Sequence, residues 1–396
     1  MTTTSERWSG RLALMVAHCA GMVDLVALPV WVGTLIAHYG FDPQQAGGLV
    51  TLFLVGAVVS SLFFAPRFHR MRGRIAAPLG FGIAALAIGG NALTDSYSVM
   101  AALHLLAGVS AACGLSFTHG TIGRSANPHR LFALVGMALG VFAIVFLGAT
   151  PQLVAAMGGQ TLFIAFGVVM AVAALVCALA FPDPKQTTVE GAGGGGAAQA
   201  APTLGTLATT SINPSVWYAV VGIACMGLVQ AMIFSFLERI GSDRGFGLDA
   251  VTGVLIALGV VNLFPAALAA LFERCVSLRN VVLAGPLLQG LLALTIAQSE
   301  AFAPYAAAAA FYAAVMIFTH TFAFGLIARL DRSGRVLAAT PAMLMAGAAI
   351  GPILGGTLVK LSGYASLGVA AVLIDVLAIF CFARACRRAT PSERLA

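Results

Sequence analysis

Residues Cys19 to Gly48 read CAGMVDLVALPVWVGTLIAHYGFDPQQAGG. This is one long apolar helix with a lone carboxylate, Asp24, near its middle. It breaks at Gly40-Phe41-Asp42-Pro43 and restarts as a second apolar helix. The pattern returns about 206 residues later: Cys19-Ala-Gly21-Met-Val23-Asp24 is answered by Cys225-Met-Gly227-Leu-Val229-Gln230. Gly40-Phe41 is answered by Gly245-Phe246, and Gly48 by Gly253 with one residue deleted between. A repeat of this length inside apolar sequence implies two structurally related halves. The first copy holds an acid where the second holds an amide, and that difference directs the search for function.

The chain has 396 residues, 60% hydrophobic and 9% charged, with a mean hydropathy of +0.98. Soluble domains carry roughly 25% charged residues, so this surface is matched to lipid rather than water. A spanning helix needs roughly 20 apolar residues. Runs of that length predict twelve spans, at 12–38, 46–66, 75–93, 98–123, 130–155, 161–181, 214–239, 249–272, 279–298, 303–328, 336–361 and 365–385. The first is too long for a cleaved signal peptide, holds His18 and Asp24, and has no clear small-residue cleavage site after it.

The net charge of +7 does not point to nucleic acid here, because its distribution follows the spans. With the N-terminus inside, eighteen of the 21 Lys and Arg residues fall on the cytoplasmic side. Only Arg239, Arg244 and Lys360 fall on the other. That asymmetry predicts cytoplasmic termini and a multi-pass protein of the inner or plasma membrane. The seven cysteines lie within helices or on the reducing side and have no metal-ligand spacing. They read as small packing residues.

Residues 182–213, PDPKQTTVEGAGGGGAAQAAPTLGTLATTSIN, lose all apolar periodicity. They predict a flexible cytoplasmic linker between an N-terminal bundle, 1–181, and a C-terminal bundle, 214–396. A second echo supports the division: Phe117-Thr118-His119 in helix 4 matches Phe318-Thr319-His320 in helix 10.

Twelve helices in two sixes, a cytoplasmic linker and a basic loop between helices 2 and 3 resemble the major facilitator superfamily. That loop is Ala65-Pro66-Arg67-Phe68-His69-Arg70-Met71-Arg72-Gly73-Arg74. It keeps Gly73-Arg74 of the family's Gly-x-x-x-Asp-Arg-x-Gly-Arg-Arg pattern and loses the acid. The 8–9 loop keeps an acid–arginine pair, Glu273-Arg274. Helix 4 carries His104-Leu-Leu-Ala-Gly108 where the family often has Arg-x-x-x-Gly. Helix 11 carries Gly347-Ala-Ala-Ile-Gly351-Pro352-Ile-Leu-Gly355-Gly356, a pattern that antiporters of the family carry in helix 5. The resemblance implies an all-α membrane fold of two pseudo-symmetric six-helix bundles. It implies a central cavity lined by helices 1, 4, 7 and 10, and transport by alternating access.

Against that frame Asp24 is the leading coupling residue. A mid-membrane carboxylate costs several kcal/mol unless it is protonated, paired or bathed in water. It serves as proton carrier, as cation-binding group or as a structural acid. His320 is the second candidate for proton coupling, since imidazole relays protons near neutral pH; otherwise it is a neutral histidine at a helix crossing. His119 reads as interfacial, and His104 and His18 rank below it. Gln230 and Asn262 offer hydrogen bonds to substrate or between helices. Trp31, Phe234 and Tyr312 offer aromatic faces to substrate, although most aromatics here meet lipid or neighbouring helices. Arg70, Gly73 and Arg74 of the 2–3 loop form one part of a conformational switch. Gly347, Gly351, Pro352 and Gly355 form the other: glycines at spacing four allow close helix approach, and the proline permits a bend. Asp375 in helix 12 reads as structural or oligomeric.

No Lys or Arg falls in the middle of any span. An organic-anion carrier usually needs a buried cation, so the substrate expected is neutral or cationic. No Walker loop, His-Glu-x-x-His or nucleophile-elbow serine is present, so no enzyme is expected. The reading is a monomeric, proton-coupled secondary carrier of small organic molecules, working as an exporter without cofactor or metal. Its partners are substrate, protons and the bilayer. The alternatives are a proton-linked uptake symporter and a carrier-like sensor or assembly factor.

Overall fold

The structure is a computed structural model that describes residues 8–64, 67, 71–125, 127–182, 214–273, 275–331, 336 and 340–388. Arg70, Arg274 and all of the expected linker beyond Pro182 lie outside the described residues. Among the described residues twelve helices are long and apolar enough to cross a membrane. The first six are α1 (Trp8–Tyr39), α2 (Pro43–Phe64), α3 (Gly73–Leu93), α4 (Tyr97–Gly123), α5 (Arg130–Met157) and α6 (Gln160–Ala180). The second six are α7 (Val216–Asp243), α8 (Leu248–Phe272), α9 (Leu278–Gln298), α10 (Phe302–Leu330), α11 (Met343–Ser362) and α12 (Ala365–Arg387).

Helices are the only open-ended structure that satisfies every backbone polar group in hydrocarbon. The polar breaks between them have local causes. Gly40 ends α1 in the left-handed region at φ 67°, where glycine carries no Cβ penalty. Asp42 and Gln45 then cap each other: Gln45 N donates to Asp42 Oδ1 at 2.9 Å, and Asp42 N donates to Gln45 Oε1 at 3.1 Å. Pro43 occupies the first helical position of α2, where a missing N–H costs nothing. Gly245 and Gly247, at φ 73° and 85°, make the matching turn between α7 and α8.

The packing repeats six helices on. The pairs α1–α5, α1–α6, α2–α4, α3–α4 and α3–α6 of the first bundle recur as α7–α11, α7–α12, α8–α10, α9–α10 and α9–α12 of the second. Close approach inside a bundle relies on glycine. A Cβ on Gly108 of α4 would overlap the backbone of Phe53 in α2.

The bundles meet through α2–α11, α5–α8 and α1–α7. Gly47 and Pro43 of α2 lie against Pro352 and Gly356 of α11, and Thr51 Oγ1 accepts from Ile353 N at 3.2 Å. Gln152 Nε2 of α5 donates to Asp249 Oδ1 of α8 at 3.0 Å. Below that bond Gly148 packs on Ile256, and Gly259 on Ile144. Glu238 of α7 occupies the space where a Cβ on Gly33 of α1 would sit. These contacts hold the bundles together toward the end opposite the termini.

Candidate functional site

Three spans are interrupted. Helix α1 breaks at Met22, α7 at Ser235 and Phe236, and α8 across Asn262–Phe264. The first break matters most, because Asp24 sits in the first turn of the segment that restarts at Val23. A carboxylate in the first turn of a helix stands where the helix start favours an anion. Asp24 is 2% exposed, and its Oδ1 has no hydrogen-bond partner among the described residues.

Gln230 of α7 is partly buried and accepts from Gln289 Nε2 of α9 at 3.4 Å. Asp24 lies about 13 Å along α1 from Gly33, and Gln230 about 12 Å along α7 from Glu238, by helical rise. The repeat-related acid and amide are therefore at matched depth beneath the contact that joins α1 to α7.

Other candidates are placed differently. Trp31 is fully buried inside the first bundle, with its ring 5.3 Å from Phe53, 4.8 Å from Phe166 and 5.5 Å from His104. It is a core residue, because its face of α1 turns toward α2, α4 and α6. Tyr312 is likewise buried, and its hydroxyl donates to Val229 O at 2.9 Å, so it clamps α10 to α7. Phe234 packs beside it, ring centroids 5.7 Å apart and tilted by 50°. His320 lies eight residues beyond Tyr312 on α10, about 12 Å nearer the end that carries the termini. Its ring packs on Phe324 at 5.0 Å. Its Nδ1 has no partner among the described residues. His320 therefore does not join Asp24 and Gln230. Asn262 caps the first segment of α8 at its interruption, with its buried Oδ1 unpartnered among the described residues.

The two switch elements are also separate. Arg74 Nε donates to Phe181 O at 3.1 Å, and Gly73 packs on the Phe181 ring. This pair ties the start of α3 to the end of α6 within one bundle. On α11 the glycines divide by face. Gly347, Gly351 and Gly355 press on Ala224, Met232 and Phe236 of α7 in their own bundle. Pro352 and Gly356 meet the other bundle instead. Gly347, Gly351 and Gly355 thus line a seam inside the second bundle, while Pro352, expected in the same switch, lies at the contact between bundles.

The structure brings forward residues that sequence reasoning ranked low or did not name. His18 Nδ1 of α1 and His119 Nε2 of α4 are 3.0 Å apart, about 9 Å from Asp24 toward the end that carries the termini. Glu238 marks the α1–α7 contact, and Gln289 links α9 to α7. His18 and Gln289 are single polar residues in apolar runs, while His119 and Glu238 sit beside Thr118 and Arg239; in each case the sequence names a position without naming its partner. An apolar crevice of about 590 Å³ lies between α8, α9 and α10, lined by Phe264, Leu268, Leu288, Phe311 and Phe318. It lacks the convergent polar groups of a substrate site. Among the described residues no three His, Cys, Asp or Glu side chains are placed to hold a metal.

The sequence model of the Major Facilitator Superfamily matches residues 13–328. The chain belongs to the Major Facilitator Superfamily. Its helices superpose on a bacterial homologue of the human lysosomal transporter Spinster in an inward-facing, occupied conformation. There the TM-score is 0.71 and the identity 13%, over 95% of each chain. The same homologue, inward-facing and unoccupied, gives 0.70 at 14% identity over 95% of each chain. The nucleoside transporter NupG, as its D323A mutant, gives 0.71 at 11% identity, over 95% of this chain and 99% of that one. At such identities the likeness is one of fold. No curated protein matches the chain. Superfamily membership makes the protein a multi-pass secondary transporter.

Proposed function

We propose that this superfamily member is a proton-coupled exporter of small neutral or cationic organic molecules, and that Asp24 carries the coupled proton. The observation behind the reading is the carboxylate itself. It is buried in mid-span beside a helix interruption, with one oxygen unpartnered among the described residues. No Lys or Arg lies in the middle of any span to pair with it. A group in that position is stable only with a proton or a positively charged partner.

The positive-inside asymmetry makes the end with the termini cytoplasmic. The bundle contacts close the other end, so the resting carrier is exposed to the side from which an exporter loads. A cationic substrate arriving at Asp24 and Gln230 takes the proton's place as counter-charge, a neutral one does so only where solvent or another group compensates the carboxylate, and reprotonation follows from outside. The deciding experiment is substrate flux in proteoliposomes with and without an imposed pH gradient. Uphill export with counterflow of protons supports the reading. Uptake accelerated by protons moving the same way makes the protein a symporter. Flux indifferent to the gradient removes proton coupling.

A further inference from the structure

Asp375 sits in α12, which packs on α9 and α7. It is 2% exposed, and neither carboxylate oxygen has a hydrogen-bond partner among the described residues. Its Oδ2 lies against Gly290 of α9, where a Cβ would stand 3.2 Å from it. The preceding residue, Gln289, is fully buried and reaches α7. Its Nε2 donates to Met226 O at 3.1 Å and to Gln230 Oε1 at 3.4 Å, while its Oε1 has no partner among the described residues. Tyr312 of α10 completes the cluster and lies within electrostatic reach of Asp375. The titratable groups within electrostatic reach of the acid are the Cys225 thiol of α7 and the Tyr312 phenol of α10, and Cys225 in turn faces the Cys381 thiol of α12. α9 contributes only the Gln289 amide.

A buried carboxylate with neither oxygen partnered among the described residues calls for a cation, since left uncompensated it costs several kcal/mol. A hard metal ion takes roughly six or more oxygen ligands, and the carboxylate offers two. A proton needs one oxygen and turns the carboxyl into a donor for another. We propose that Asp375 is a second proton-binding site of this transporter, set against Gly290, the sequence neighbour of the Gln289 that bonds Gln230 on the substrate side of α7.

The repeat gives the site its logic. The repeat that gives α1 Cys19, Gly21 and Val23 gives α7 Cys225, Gly227 and Val229, and sets Gln230 where α1 has Asp24. The second bundle keeps its acid one layer back, in α12. Substrate that binds Gln230 competes for its carbonyl. It releases the long Gln289–Gln230 hydrogen bond and reorients the amide beside Asp375. The inference rests on membership of a transporter family, and does not need Asp24 to be the coupling residue.

The test reads the proton directly, without substrate. Infrared difference spectra of the purified protein across pH report the carbonyl stretch of protonated carboxyl groups, identified by its shift in deuterated water. A buried carboxyl band is expected in the native protein and in Asp24→Asn, and is expected to be lost in Asp375→Asn. Gln289→Leu should move its titration midpoint. Asp375→Glu, which keeps the group, should shift the band without removing it, and serves if the asparagine variant does not fold. An Asp375→Asn spectrum identical to the native one overturns the proposal. Loss of the band when sodium chloride replaces choline chloride at constant pH also overturns it, by assigning the site to a metal cation. Failure of Asp24→Asn to affect gradient-driven flux would remove Asp24 from the mechanism and leave this result standing.

Discussion

Lys360 Nζ of α11 stands 2.9 Å from Asp42 Oδ2, the residue that caps α2, and so bridges the two bundles at the end opposite the termini. Both side chains are partly exposed, at 44% and 35%, so the pair contributes at most about 1 kcal/mol. That is still about a fivefold change in a conformational ratio. Asp42→Asn is expected to shift the equilibrium up to about fivefold toward opening of this end. The shift should shrink in high salt as screening weakens the native pair. Distances between spin labels on Gln44 and Ser362 would measure it.

The same latch has a defined pH response. Slight burial opposes ionisation of Asp42, but the Lys360 hydrogen bond and the amides of Gln45 and Gln44 outweigh it and hold the carboxyl below the usual range. A depressed acid contributes fully above its ordinary value of about 3.9 and loses its contribution only as pH falls through the depressed one. The bridge is therefore expected to stay constant from pH 5 to 8. A spin-label distance that changed with Asp42 protonation in that window would contradict this.

Two glycine substitutions separate the two faces of α11. A Cβ on Gly47 would overlap the Pro352 carbonyl across the bundle interface, and one on Gly347 would overlap the Ala224 carbonyl inside the second bundle. Gly47→Ala should push the bundles apart and change the inter-bundle distances with little loss of thermal stability. Gly347→Ala should lower the unfolding temperature in detergent, by an overpacking cost of about 1–3 kcal/mol, with distances preserved in the folded fraction.

Asp24→Asn keeps the size and hydrogen-bonding capacity of the acid but never ionises. It is expected to abolish pH-driven flux while the protein still inserts and folds. Gln230→Asn should change apparent substrate affinity and leave coupling intact. His320→Gln should leave both close to native, since the structure sets His320 apart from the acid–amide pair. Normal gradient-driven flux in Asp24→Asn would refute the assignment.

Trp31→Ala removes a fully buried ring packed between Phe53, His104 and Phe166. About 3–5 kcal/mol of stability should be lost. Trp31→Phe should restore much of it, with apparent substrate affinity unchanged. A large change in affinity at native stability would return Trp31 to the cavity wall.

The spans were legible because length and hydropathy alone decide whether a helix crosses a bilayer, and the pairing of halves because Cys19–Asp24 is written again at Cys225–Gln230. Which face of a helix meets the cavity was not legible. In a soluble protein the polar face marks the outside, but here lipid and core are both apolar, so Trp31 and Tyr312 carried no mark of direction. Partners across helices escaped for a related reason. His18 and His119 are 101 residues apart and Gln289 and Gln230 are 59 apart. Nothing local to either member of a pair names the other. The helix 11 glycines were read correctly as a close-approach surface, but their partner helix is set by three-dimensional packing.

The end at which the bundles stand apart is also the end that holds Arg67, Arg72, Arg74, Arg124, Arg279, Arg329, Arg384 and Arg387. Bringing the bundles together there crowds guanidinium groups of one sign, so closure does electrostatic work against their mutual repulsion. That work depends on what surrounds the rim. Anionic lipid headgroups and dissolved salt neutralise it, while a zwitterionic bilayer leaves it in place. The turnover of this carrier is thereby tied to the charge of the leaflet in which it sits, through residues that never touch its cargo.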